Sequence, residues 1–529
     1  MFDLIIRGAS IIDGTGREAY TGDAAVSDGR IAAVGELGAA EAARVIEARG
    51  RCLTPGFIDI HRHADAAVFR PGWGRAELAQ GLTTVINGNC GLSLAPVRGP
   101  FAGEILSYLS PIVGALPEGR DYPDMAGYLR AAAGAALPLN TAMLAGMGTI
   151  RACAAGFSDA PLTDGQYREI HALLERCLAD GAVGVSLGLG YAPECFYDTA
   201  GLIRALEPLR DSGTVVTVHM RQEGDGVVDA LREMLAVARE LRMPLEISHL
   251  KAIGRRNWRS AVPEMLQLID AARQEGLDVM CDVYPYPAGS TQLIHVLPPE
   301  FQAGGTEALT AALSDTEQRA RMRRRMETGS DFENISLLVG FENIRATSLH
   351  RPENLAFEGR SIAEIATARG CGPFDALFDL LASEHCAVSM IDFIADEEDI
   401  REILRAPFSG VISDATYPVS GLLHPRVYGT FARLIERYVR GEGTLSLTEA
   451  VHKVTGQPAE RFRLAGKGVI APGADADLCL FDAANIRERD SYEHPDSLAA
   501  GMDYVFVRGV PAIAEGKFTG KANGRAITA

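Results

Sequence analysis

Apolar positions fall into two regimes along the chain. Near the start, Leu4-Ile5-Ile6-Arg7-Gly8 and the run 25–35 are short apolar segments closed by turn residues. Near the end, the runs 468–473, 476–482 and 504–509 behave alike. Each terminal piece is too small to close a good core alone. The two are expected to pair into one small β-sandwich domain, residues 1–54 and 466–529, with 55–465 inserted into it.

In the stretch between them, short apolar strands alternate with helical segments, the pattern of a parallel sheet closed by crossover helices. Strands are predicted at 56–60, 83–86, 141–144, 184–187, 215–218, 245–248, 279–282 and 410–413. Eight such units predict an α/β fold, a (β/α)8 TIM-like barrel. The rhythm is lost at about 288–354, which predicts a helical insertion over the barrel mouth. The Arg-dense run 319–325 would be its solvated face.

In such a barrel the chemistry collects at the C-terminal ends of the strands. His61 and His63 follow the first strand, and their spacing points both rings to one side of an extended chain. Cys90 follows the second in the low-bulk turn Asn87-Gly88-Asn89-Cys90-Gly91. His219 closes 215–218, His249 closes 245–248, and Asp414 ends the last strand. Any one of these alone reads as a polar strand end, a core thiol or a helix cap. Six on one rim read as a metal site, because imidazole and thiolate are the donors zinc prefers and a catalytic zinc takes three protein ligands plus water. His171, His385, His452 and His494 carry no such signal. His295, His350 and His424 lie nearer the substrate loops.

Composition narrows the setting. The 51 Lys and Arg against 69 Asp and Glu give a formal charge of −18, which argues against nucleic acid or an anionic membrane as the main partner. No apolar run approaches the roughly 20 residues that a membrane-spanning helix needs. Residues 1–8 lack the features of a secretory leader. Nine scattered cysteines without a paired framework fit a reducing compartment, so a cytoplasmic location is expected.

Several segments carry a more specific signal. They are Pro55-Gly56-Phe57-Ile58-Asp59-Ile60-His61-Arg62-His63, the Cys90 turn, Val218-His219-Met220-Arg221, Ile247-Ser248-His249-Leu250-Lys251, Tyr284-Pro285-Tyr286 with Ala288-Gly289-Ser290-Thr291, Ser413-Asp414, His424-Pro425-Arg426-Val427-Tyr428-Gly429-Thr430-Phe431, and Ala471-Pro472-Gly473-Ala474-Asp475-Ala476-Asp477-Leu478. Through them the chain resembles, along nearly its whole length, the D-aminoacylases (N-acyl-D-amino-acid deacylases) of the amidohydrolase superfamily. The resemblance implies that Cys90, His219 and His249 hold one tightly bound zinc ion. His61 and His63, with Cys90 available as a bridge, would form a second, weaker site. Cys90 in the bridging role disfavours hydantoinases and dihydroorotases, which use a carboxylated lysine there. The resemblance also implicates Tyr284, Ser290 and Arg426 in substrate binding. Lys251, two residues past His249 on the same side of an extended segment, joins them, as does Tyr191. Two departures, Arg62 between the paired histidines and Met147 where a histidine is expected, bear on substrate range.

The expected activity is zinc-dependent hydrolysis of the amide bond of N-acyl-D-amino acids, a small-molecule substrate class, giving a carboxylate and a free D-amino acid. Asp414 would take a proton from the attacking water and deliver it to the departing amine. The D configuration rests on the resemblance alone. Residues 291–305 contain no Lys or Arg, and Leu293, Ile294, Val296 and Leu297 are candidates for an apolar pocket that favours neutral or hydrophobic side chains. Two alternatives stand. One is another amidohydrolase activity, a cyclic-amide hydrolase or a dipeptidase for D-residues, since one fold hosts many chemistries. The other is an inactive assembly protein, which the presence of Asp414 and every ligand disfavours.

Overall fold

Each of the eight apolar runs becomes a strand in the computed structural model, which describes residues 1–117 and 119–529. They are β1 (Phe57–Asp59), β2 (Leu82–Asn87), β3 (Asn140–Met143), β4 (Val185–Gly188), β5 (Val216–His219), β6 (Leu245–Ile247), β7 (Val279–Val283) and β8 (Ser409–Val411). β1, β2 and β3 pair in parallel, and so do β4 through β8 in order. Ala145–Gly146, just past β3, joins the two sets by pairing with β4. The circle closes where Ala415–Thr416 pairs in parallel with Arg62–His63. The strands are buried on both faces, which is why they read as apolar runs and not as alternating ones. The closure brings the ends of β1 and β8, and with them His61, His63 and Asp414, side by side.

Strands from both chain ends share one nine-stranded sheet. Cys52–Pro55, immediately before the barrel, pairs antiparallel with Leu478–Phe481, after it. The sheet buries its own apolar cluster, including Leu4, Ile6, Ile11, Leu53, Leu478 and Phe506. The chain therefore enters and leaves the barrel region on adjacent strands.

The segment between β7 and β8 differs from the expected helical insertion at 288–354. Ala288–Gln292, Ile344–Thr347 and Ser389–Phe393 form a three-stranded antiparallel sheet with Ser389–Phe393 in the middle. Helices Gly305–Ser314, Thr316–Thr328, Ile362–Arg369 and Pro373–Ser383 lie between these strands in sequence, so the insertion extends to Phe393. Ala288-Gly289-Ser290-Thr291-Gln292 is small and polar, without the alternation that marks a strand, and its partner lies far along the chain. On Thr316–Thr328, Arg321, Arg323 and Arg324 are exposed while Met322 and Met326 are buried, the solvated face expected of the Arg-dense run. Among the described residues no helix is long and apolar enough to cross a membrane.

Candidate active site

Six groups from five strand ends converge at the barrel mouth: His61 and His63 after β1, Cys90 after β2, His219 at the end of β5, His249 after β6 and Asp414 after β8. Three of them have left-handed backbones, Cys90 at φ 52°, His249 at φ 39° and Asp414 at φ 52°. Side chains with a Cβ rarely adopt that conformation, and it persists only where the surroundings impose it. Here they do. The Asp414 N–H donates to the His61 carbonyl at 2.9 Å. The His249 N–H donates to the Asp282 carboxylate. Around Cys90, the Asn89 amide donates to the Ile60 and Ile86 carbonyls at 3.2 Å each, and the Gly91 N–H donates to Ser186 Oγ at 3.0 Å. Buried Asp59 ties β1 to β8 by accepting the N–H groups of His61 at 3.2 Å and Ser413 at 3.1 Å.

The donor atoms meet closely. Cys90 Sγ lies 3.3 Å from His61 Nε2 and 3.4 Å from His249 Nε2, and His249 Nε2 lies 3.2 Å from His219 Nδ1. His61, Cys90, His249 and Asp414 offer ligand atoms all within 4.8 Å of one another. His219 joins this cluster through His249. Gly190 makes room for it, since a Cβ there would stand 2.8 Å from His219 Nε2.

Burial dominates the electrostatics. It pushes the rings of His61 and His219 down to about 3 and that of His249 to about 4, so all three are neutral at physiological pH. Burial alone would raise the Asp414 carboxyl, but the Arg426 guanidinium and the His61 and His63 rings hold it well below the usual carboxylate range. Burial, reinforced by the Asp414 and Glu223 carboxylates, raises the Cys90 thiol well above its ordinary value. A thiolate at that position requires a cation beside it.

This donor set fits a zinc ion. The His249 Nδ1–H can donate to Glu223 Oε1, 3.0 Å away, which fixes the tautomer and turns the lone pair of Nε2 toward Cys90 and His219. Lys251 Nζ, 2.8 Å from the same Nδ1, donates instead to Glu223 Oε2 at 2.7 Å. The His61 and His249 nitrogens crowd against the Cys90 sulfur, with His219 beside His249, and a borderline-soft divalent cation satisfies donors of these kinds.

Most of the expected substrate contacts line the pocket above these groups: Tyr191, Lys251, Tyr284 and Ser290. The Tyr191 ring lies against His219, with centroids 4.6 Å apart and planes tilted by 44°, and its hydroxyl shares a hydrogen bond of 2.9 Å with Thr291. Lys251 Nζ lies 5.7 Å from the centre of the Tyr284 ring. Arg426 is different. It is fully buried and directs its guanidinium to Asp414 at 2.8 Å and the Ser290 carbonyl at 2.9 Å, so it stands behind the pocket and does not line it.

The apolar residues expected to line the pocket do not. Leu293, Ile294, Val296 and Leu297 pack into the hydrophobic core: Leu293–Val296 form a short 3-10 turn directly after the first strand of the insertion, and Leu297 ends it. Leu92, Ile112, Ile253, Ile335 and Ile394 form the apolar wall instead. The two departures also lie off the pocket. Arg62 is buried and paired with Asp59 at 3.2 Å and Glu77 at 2.8 Å, and Met147 is in the core. His424 is a backbone anchor, bonded to the Ala288 carbonyl and the Arg426 N–H. His295 lines the pocket and pairs with Glu333 at 3.2 Å. Glu223, Glu333 and Asp392 also line the pocket, and the chain's periodicity does not mark them. Only the spacing His219-Met220-Arg221-Gln222-Glu223 offered a signal.

Comparison with known proteins identifies the family. A family model described as amidohydrolase family matches residues 44–513. The chain is 33% identical to the D-aminoacylase of Alcaligenes xylosoxydans xylosoxydans over 99% of its own length and 97% of that protein's. It is 35% identical to the N-acyl-D-glutamate deacylase of the same organism over 96% and 93%. Among solved structures, N-acyl-D-glutamate deacylase from Bordetella bronchiseptica, complexed with zinc and a phosphonate mimic of the tetrahedral intermediate, matches with a TM-score of 0.84 and 31% identity over the full length of both chains.

Proposed function

This chain belongs to the D-aminoacylases, the N-acyl-D-amino-acid deacylases of the amidohydrolase family, and on that premise we propose that it hydrolyses N-acyl-D-amino acids to a carboxylate and a free D-amino acid. The observation that carries this reading is the gathering of His61, Cys90, His249 and Asp414, with His219 beside His249 and His63 beside Asp414, at a pocket that also contains Lys251. Cys90, His219 and His249 would hold the tight zinc ion, with His61 and His63 forming a second, weaker site. When bound, zinc polarises the scissile carbonyl and acidifies the attacking water.

The chain's own groups handle the protons and the charges. Asp414, ionised at the outset, takes the proton of the attacking water on its Oδ1 side and then delivers it to the departing amine nitrogen. Lys251, Tyr284 and Ser290 receive the carboxylate of the amino acid, a cation with two hydroxyls being suited to it. Arg426, buried behind Asp414, adds positive potential at the same end. Tyr191 braces His219. The wall of Leu92, Ile112, Ile253, Ile335 and Ile394 favours apolar and neutral side chains over acidic ones. A cytoplasmic setting accords with nine free cysteines.

A substrate panel tests this directly. Zinc-loaded enzyme should hydrolyse N-acetyl-D-leucine, leave N-acetyl-L-leucine and hydantoin intact, and act more slowly on N-acetyl-D-glutamate. Preference for the L-enantiomer or the cyclic amide would refute the activity. Fastest turnover of the glutamate substrate would refute the assigned side-chain range.

A further inference from the structure

The acidic groups of the pocket are paired with one exception. Glu223 holds Lys251, Glu333 holds His295 and Asp414 holds Arg426. Asp392 lies on the middle strand of the insertion sheet, opposite Gly289 on one neighbour and Ile344 on the other, and neither has a side-chain donor. It is 2% exposed, and its buried Oδ1 meets no donor among the described residues. A Cβ on Gly289 would stand 2.9 Å from that oxygen, so only glycine lets the neighbouring strand pass this close to the carboxylate. Both residues line the pocket.

A buried carboxylate without a donor is costly, and native structures rarely keep one unless something else supplies the missing proton. Burial holds the Asp392 carboxyl up at about 6, against the pull of the His295, Lys251 and Arg426 charges, so it is ionised at neutral pH. Lys251 and Arg426 face Glu223 and Asp414, and neither donates to Asp392. The uncharged part of the wall combines the apolar Leu92, Ile112, Ile253, Ile335 and Ile394 with the hydroxyls of Tyr191, Tyr284, Ser290, Thr291 and Thr416. A carboxylate oxygen without a donor, with Ile394 beside it, complements an aliphatic stem that ends in a cation.

Resting on the deacylase reading above, we propose that Asp392 is a specificity-determining residue that receives the terminal cation of a basic D-amino acid. The accepted substrates then extend from apolar side chains to N-acyl-D-arginine and N-acyl-D-lysine, and the same carboxylate repels acidic ones.

The test compares kcat/KM for N-acetyl-D-arginine, N-acetyl-D-leucine and N-acetyl-D-glutamate in the zinc-loaded wild type, Asp392→Asn and Asp392→Leu. The wild type should use the arginine substrate at least as well as the leucine one. The arginine-to-leucine ratio should fall about 10- to 100-fold in both variants, the size of a lost hydrogen bond between charged groups. The glutamate-to-leucine ratio should rise. An unchanged arginine-to-leucine ratio, equal losses on all three substrates, or a wild type that hydrolyses the leucine but not the arginine substrate would each overturn the proposal. If Asp392→Leu does not fold, the isosteric Asp392→Asn decides. A wild type inactive on every N-acyl-D-amino acid would instead strike the deacylase reading itself, and this proposal with it.

Discussion

Arg426 Nη1 lies 2.8 Å from Asp414 Oδ2, while Asp414 Oδ1 faces His61 Nε2 at 3.4 Å and His63 Nε2 at 3.3 Å. The two oxygens of one carboxylate thus have separate surroundings. One is fixed by a permanent cation and the other looks into the site where a proton must move.

Replacing Asp414 removes only the proton carrier. Asp414→Asn should lower kcat by about 10²- to 10⁴-fold, the usual contribution of a positioned general base, while bound zinc stays near the wild-type amount. Steady-state kinetics beside metal analysis checks this. A variant that retained most of its turnover would remove Asp414 from the chemistry.

Glu223 supports the metal site indirectly, through His249 Nδ1 at 3.0 Å. Glu223→Gln should weaken zinc affinity about 10- to 100-fold, as loss of a carboxylate behind a ligating histidine does. Competition with a chromogenic chelator measures it. Unchanged affinity would mean that His249 is oriented by other contacts, and that Glu223 serves only Lys251.

Glu194 should make stability fall with rising pH. It is buried, it accepts the Gly188 N–H at 2.9 Å, and burial raises its carboxyl to about 8. An unfolded glutamate titrates near 4.3. Between those two values the folded chain holds a proton that the unfolded chain has released. The stabilisation is therefore complete below the unfolded pKa and is lost as pH rises through the folded one. Glu194→Gln keeps the neutral shape without the titration, so its Tm should decline less than that of the wild type between about pH 5 and pH 8. Parallel melting curves for the two proteins would contradict this.

What the sequence revealed followed from periodicity and from the rule that barrel chemistry sits at strand ends. The strands at 215–218 and 245–248 announce themselves as apolar runs, and His219 and His249 stand where each run stops. Cys90 and Asp414 are legible for the same reason. Asp392 and Glu333 are not, because the insertion returns them to the pocket by tertiary packing across strands that are distant in sequence. Ala288–Gln292 hides as a strand because its residues are small and polar. Leu293, Ile294, Val296 and Leu297 illustrate the converse limit. Apolarity shows that a residue is buried but not whether it faces the core or a ligand, and here all four face the core.

The zinc environment itself is the most direct test of the site. X-ray absorption at the zinc edge of fully active enzyme with one equivalent of zinc should show one sulfur at about 2.3 Å together with nitrogen or oxygen neighbours at about 2.0–2.1 Å. The sulfur should vanish in Cys90→Ser. An active enzyme whose zinc is surrounded by nitrogen and oxygen alone, with the same spectrum in wild type and Cys90→Ser, would contradict the assignment of Cys90, His219 and His249 as its ligands.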